Sequence, residues 1–231
     1  MIPIKDDAPR STTPFVNYFL IGLNVAVFLF EFSLSPRELR ILVGNFGFTP
    51  DTLNQWLAGV APIDAALVPL FSSMFLHGSW LHLIFNMWAL AIFGDNVEDR
   101  LGHFRYLLFY FLSGLGADMT HYVFNSASHV PSLGASGAIA GVMGAYFLLF
   151  PQARVLTWIF TFALIRLPAW LVLGFWFLAQ LLSGAATTIT YSHETGGGIA
   201  VWAHVGGFVT GLILIKLFPL RPTYYSYEPY S

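Results

Sequence analysis

Residues 131–146 read PSLGASGAIAGVMGAY, with a lone serine, Ser136, set between Gly134 and Gly137 and small residues at nearly every helical contact position after it. Gly137 and Gly141 are spaced by four and Gly144 adds a further gap, so one face of a helix starting at Ser136 carries almost no side chains. The apolar run from Ser136 to Phe150 spans only about 22 Å as a helix. What such a segment does depends on the solvent around it.

That solvent is predicted to be lipid. Of 231 residues, 56% are hydrophobic and only 10% charged, against about 25% charged in an ordinary soluble domain. The net charge of −2 and the lack of a basic tract argue against nucleic acid as a partner, and the absence of cysteine removes disulfides, thiolate catalysis and Cys-ligated metals. A bilayer crossing needs roughly 20 mostly apolar helical residues. Candidate spans are Phe15–Phe32, Ser79–Val97, Phe104–Phe124, Ser136–Phe150, Leu167–Ser183 and Val201–Phe218. The KDDAPR stretch ahead of the first is not a clean positive n-region and no A-x-A site follows, so that span is read as retained.

With six spans, Lys5, Arg10, Arg100, Arg105, Arg154, Arg166, Lys216 and Arg221 fall on one side and only Arg37 and Arg40 on the other. The positive-inside rule then puts both termini in the cytoplasm. The domain reading is a cytoplasmic N-terminal tail over residues 1–14, a six-helix membrane domain over 15–218 and a cytoplasmic tail over 219–231. Both tails are expected to be poorly ordered. Residues 33–73, with NFGFTP and Trp56, form an outward loop lying partly in the interface. The fold class is therefore all-α, a polytopic bundle with a short central helix.

Strongly polar residues inside spans are costly and usually functional. Here they are His82, Asn86, Ser136, Gln180 and His204, while Asn17 and Asn24 are assigned structural roles. His82 and Asn86 are four apart and share a helix face, with Ser79 as the N-cap. In AVWAHVGGFVTG, Ala203, Gly207 and Gly211 repeat the four-residue spacing, which lets a neighbouring backbone approach closely. Packing that strip on Gly137 and Gly141 brings His204 to Ser136. The short helix ends inside at Pro151, so it must start below the outer surface, preceded by non-helical HVPSLGA buried in protein or water. A serine at a helix N-terminus, among free N–H groups, meets the requirements of a nucleophile with an oxyanion hole.

These residues resemble the rhomboid family of intramembrane serine proteases. The family's GxSG is GASG at 134–137, its HxxxN is HLIFN at 82–86, and its AH…G is AHVGG at 203–207; SSMFLHGSWLHLIFN and VEDRLGHFRY also resemble family stretches. The resemblance implies six helices and a Ser–His dyad without an acid, with Ser136 as nucleophile and His204 as general base. It implies an oxyanion hole of His82, Asn86 and the Ser136 N–H, and substrates with single membrane spans and small residues at the cut. Asp118 and Glu194 are assigned to outward loops, leaving no acid in the helical core. Glu98 and Arg100 match a family motif at the inner end of the second span, with a structural role. The chain departs at Ala140, where some members carry an aromatic that stacks on the histidine, so another group must orient His204.

Other classes fit less well. A nucleophile elbow needs G-x-S-x-G, and residue 138 is Ala. A metal site drawing on His77, His82, His121 and His204 lacks H-E-x-x-H; no metal or cofactor is expected, and His77 and His121 are read as loop or interface residues bonded to backbone. A binding or transport protein of the same fold is the non-enzyme alternative, although no repeat is present. A substrate helix in the plasma membrane must reach Ser136 sideways, and Phe85 and Trp176 are the candidate seam.

Overall fold

Capping residues and chain breakers set the ends of the helices in this computed structural model, which describes residues 1–159, 163–190 and 201–222. The order is β1 (Ile2–Lys5), α1 (Phe15–Ser33), α2 (Pro36–Phe46), α3 (Pro50–Leu57), α4 (Ile63–Leu67), α5 (Pro69–Ser72), a 3₁₀ turn (Ser73–Phe75), α6 (Trp80–Leu101), α7 (His103–Asn125), α8 (Ser136–Leu149), β2 (Arg154–Ile159), β3 (Ala163–Pro168), α9 (Ala169–Thr190) and α10 (Val201–Leu217). Ser79 caps α6 by accepting from the His82 N–H at 3.2 Å. Among the described residues, α1 and α9 are each long and apolar enough to cross a bilayer. A third span is gained if Ile63–Phe75 and Trp80–Leu101, bent by 79°, form one broken crossing; α8 and α10 are shorter apolar helices. Polar residues at one end of α6 and along α7 dilute their apolar character, so length and composition alone give two or three crossings.

At the centre is α8. Every residue from Gly137 to Tyr146 is buried, and α10, α7 and α6 pack around it. The two small-residue strips meet as their spacing predicts. A Cβ on Gly207 would fall on the carbonyl oxygen of Gly137, and one on Gly211 on that of Gly141. Only a missing side chain permits backbones this close.

The fold is mostly helical but not all-α. β1, β2 and β3 form an antiparallel sheet in that order, with Ile2 opposite Trp158 and Val155 opposite Leu167. Along β2, Val155 and Thr157 are buried while Arg154 and Trp158 are not, a period of two. The sheet takes residues 167 and 168 out of the expected fifth helix.

The N-terminal residues are also ordered rather than loose. Trp88 donates to the Pro3 carbonyl at 2.9 Å, Asn96 to Ala8 and Pro9, and Arg10 pairs with Asp95 at 2.9 Å. Tyr146 donates to Asp6, and the Arg154 N–H to Asp7. Desolvation raises the Asp6 carboxyl above its ordinary range, opposed by the Tyr146 hydrogen bond. Polar groups at the ends of α6 and α8 supply partners that tail composition alone did not reveal. At the other terminus, Arg221 donates its N–H to the Arg100 carbonyl at 2.7 Å; residues 223–231 lie outside the described residues.

Two further expectations change. Residues 33–73 fold into α2 to α5 rather than a loop, α2 starting at a capping box in which Ser35 and Glu38 exchange hydrogen bonds. Those bonds hold the exposed Glu38 carboxyl below its usual range. Asp118 is buried within α7, not in an outward loop, and Glu31 and Glu98 are also buried. The helical core does contain acids; Glu194 lies outside the described residues.

Candidate active site

Ser136 is the first residue of α8, and Ala135 before it provides no side-chain cap. The first-turn N–H groups of α8 therefore lack intrahelical partners. The approach to the helix is shaped by Gly134, whose φ of +124° favours glycine. A Cβ there would come within 2.7 Å of His82 Nε2 and 3.6 Å of Ser136 Oγ, so the histidine ring, the bend and the serine are immediate neighbours. The bend is pinned by the Gly134 N–H, which donates to the Ser73 carbonyl at 2.9 Å.

From α10, His204 Nε2 reaches Ser136 Oγ at 2.8 Å. The glycine strip makes this contact available, because the two backbones carrying the residues touch. The other ring nitrogen, Nδ1, lies 2.8 Å from Gln180 Oε1 on α9. Ala140 packs near Gly207 instead of over the imidazole. Trp176, one turn before Gln180, lies beside the His204 ring, with ring centroids 5.9 Å apart and planes tilted by 36°.

Ser136, His204, His82 and Asn86 all line one cavity of about 1770 Å³. A water occupies about 30 Å³ of liquid, so there is room for a peptide segment. Asn86 is buried, and its Nδ2 has no hydrogen-bond partner among the described residues. Phe85 and Trp88 of α6, Trp176 of α9 and Met1–Pro3 line other parts of the cavity. The two seam candidates thus border the same space as the serine.

Histidines outside this group behave differently. His77 is buried, bonds the Phe75 carbonyl through Nδ1 and donates its N–H to Glu31. His121 is in α7 rather than a loop, beside Asn125. No cluster of three or more His, Asp or Glu suited to a metal occurs among the described residues. Sequence reasoning missed two features of the site. Asp118 lines the cavity and its Oδ2 lacks a partner among the described residues. Gln180 was singled out as polar but given no contact; its four-residue spacing from Trp176 was the available signal that both share one face of α9.

Comparison with known proteins bears on the same residues. The chain is 29% identical to RHOMBOID-like protein 1 of Arabidopsis thaliana over 87% of its length and 47% of that protein's. It is 29% identical to Rhomboid protein 1, mitochondrial, of Saccharomyces cerevisiae, over 85% of the chain and 51% of the relative. With Presenilin-associated rhomboid-like protein A, mitochondrial, of Danio rerio, identity is 35% over 77% of the chain and 41% of the relative. The chain thus spans about half the length of these relatives. The family model described as the Rhomboid domain matches residues 64–220, well over half the chain and inclusive of Ser136, His204, His82 and Asn86. On that match, the chain belongs to the rhomboid family.

Proposed function

We propose that this membrane protein is an intramembrane serine endopeptidase that hydrolyses peptide bonds in or near the membrane spans of single-span proteins. The observation that carries the reading is the 2.8 Å contact between Ser136 Oγ and His204 Nε2 at the uncapped start of a buried helix. Family membership supports it, since rhomboids are generally intramembrane serine proteases. In this reading six helices cross the bilayer and both termini are cytoplasmic. The eight-to-two distribution of basic residues supports that orientation. The plasma membrane is the proposed location, although several relatives are named for mitochondria.

The chemistry follows from the positions. Ser136 Oγ attacks the scissile carbonyl carbon as His204 Nε2 takes the hydroxyl proton. Negative charge then grows on the former carbonyl oxygen. Donors available to it are the Ser136 N–H, His82 and the unpartnered Asn86 Nδ2, reinforced by the α8 dipole. Collapse of this intermediate breaks the C–N bond, and His204 protonates the departing amine. Water, deprotonated by His204, then attacks the acyl-serine ester and frees Ser136. Both steps balance with water as the sole co-substrate. The substrate helix arrives laterally between α6 and α9, past Phe85 and Trp176.

A purified wild type should cut a single-span reporter protein in proteoliposomes, while Ser136→Ala and His204→Ala should each lose nearly all turnover and the double variant be little worse. Chelators should have no effect. Turnover by contaminant-free Ser136→Ala protein, or a wild type that binds the reporter without cutting it, would overturn the reading; the second result would favour a binding protein of the same fold.

A further inference from the structure

A Ser–His pair leaves one ring nitrogen of the histidine unaccounted for. Neutral imidazole carries one N–H and one lone pair, and which nitrogen holds which is set by the partner of the other. If Nε2 carries the hydrogen, it donates to Ser136 and cannot take the serine proton. The nitrogen facing away from Ser136 therefore decides whether His204 is a base.

In this chain that nitrogen meets an acceptor. Gln180 Oε1 lies 2.8 Å from His204 Nδ1, and Trp176, on the same face of α9, lies alongside the ring. We propose that Gln180 is the positioning residue for His204: its carbonyl accepts the Nδ1–H and fixes the tautomer whose Nε2 lone pair faces Ser136. This rests on the protease reading and adds a third, uncharged member to the pair. It also answers the departure at Ala140, because orientation comes from α9 rather than from an aromatic one turn after the serine.

A purely structural role, joining α9 to α10, is the competing account. Those helices are already joined without it. Phe177 stacks on Phe208 at 4.6 Å, and Trp202 Nε1 donates to Thr188 Oγ1 at 3.0 Å. Removing the Gln180 acceptor should leave that packing in place and release only the imidazole. The arrangement also ties catalysis to α9. Any shift of α9 that opens the lateral seam carries Gln180 away from His204, so the base is fully set only with α9 seated.

The test compares Gln180→Met, which keeps length and loses the acceptor, with Gln180→Glu, which keeps an acceptor. Turnover of a single-span reporter in proteoliposomes is measured beside ¹⁵N spectra of ring-labelled histidine, with His204 assigned by difference from His204→Ala. Losing one hydrogen bond to a buried group should lower kcat roughly tenfold for Gln180→Met, with KM unchanged. The His204 signals should change from one Nδ1–H tautomer to a mixture. Gln180→Glu should restore kcat to within about threefold of wild type, since a carboxylate is also an acceptor. A Gln180→Met protein with wild-type kcat and tautomer, or one that loses only thermal stability, would overturn the positioning role while the active wild type upholds the protease reading. A wild type that neither cuts the reporter nor reacts with a fluorophosphonate would overturn both.

Discussion

Glu98 on α6 and Asp118 on α7 are both buried carboxylates on adjacent helices, yet their surroundings are opposite. Glu98 accepts from the Val16 and Asn17 N–H groups at 3.0 and 2.7 Å and lies 2.5 Å from His103 Nδ1. It thereby caps the first turn of α1, which begins after Pro14 and has no side-chain cap of its own. Its neighbour Asp99 accepts from the backbone and hydroxyls of Ser11 and Thr12. Asp118 Oδ2 has no partner among the described residues, and neither has Asn86 Nδ2 across the same cavity. A buried polar group is expensive unless bonded. Glu98 and Asp99 anchor α1 and the segment before it to α6 at one end of the bundle, whereas Asp118 and Asn86, lining the cavity, keep hydrogen-bonding capacity at the other.

This contrast ranks the expected effects of substitution. Glu98→Leu should be the most damaging, stranding two backbone donors and a histidine, at about 3 kcal/mol of stability; a thermal melt in detergent checks it, and an unchanged midpoint would break the comparison. Asn86→Ala belongs to the other end, so it should spare the melt and lower turnover roughly tenfold to a hundredfold, less than a full oxyanion-hole loss because other donors remain. Equal turnover with a lowered melt would make Asn86 a helix-bonding residue instead. Asp118→Leu should stabilise the protein by about 1 kcal/mol, since it removes a carboxylate with an unpartnered oxygen; destabilisation would mean that Asp118 is an anchor like Glu98.

The smallest effect concerns Asp6. Burial raises its carboxyl above the ordinary range, so the folded state holds the proton more tightly than the unfolded one. Its contribution is most favourable below the ordinary aspartate value, and is lost as pH rises through the higher folded value. Asp6→Asn keeps an acceptor for Tyr146, should remove this slope and should raise the neutral-pH melting temperature by roughly 1–2 °C. A melt that rises with pH across that window would contradict the assignment.

What was legible in the sequence were features with a strict period. The small residues at 137, 141, 207 and 211 predicted the α8–α10 contact, and Ser79 predicted the start of α6. Glu98 was read as structural, though not as the cap of α1. The sheet escaped because RVLTWI and ALIRLP read as part of an apolar sequence near a helix, and short apolar runs do not separate strand from helix by composition. The N-terminal strand escaped for a different reason, as its partners on α6 and β2, such as Trp88 for Pro3 at a separation of 85 residues and Trp158 for Ile2, lie far along the chain and no local pattern announces them. Asp118 was misplaced because a lone carboxylate near a span's end reads as a loop residue. Gln180 was visible as an anomaly, but its partner on α10 lies across a tertiary contact that spacing on α9 alone could not specify.

The central claim is that His204 activates Ser136 at the head of α8. Its most direct measurement is the intact and peptide mass of protein treated with a fluorophosphonate, for wild type and His204→Ala side by side. One adduct on the peptide bearing Ser136 in the wild type, with labelling of His204→Ala slowed by roughly a hundredfold or more, is the predicted result. An adduct on another residue, or equal labelling of the two proteins, would contradict it.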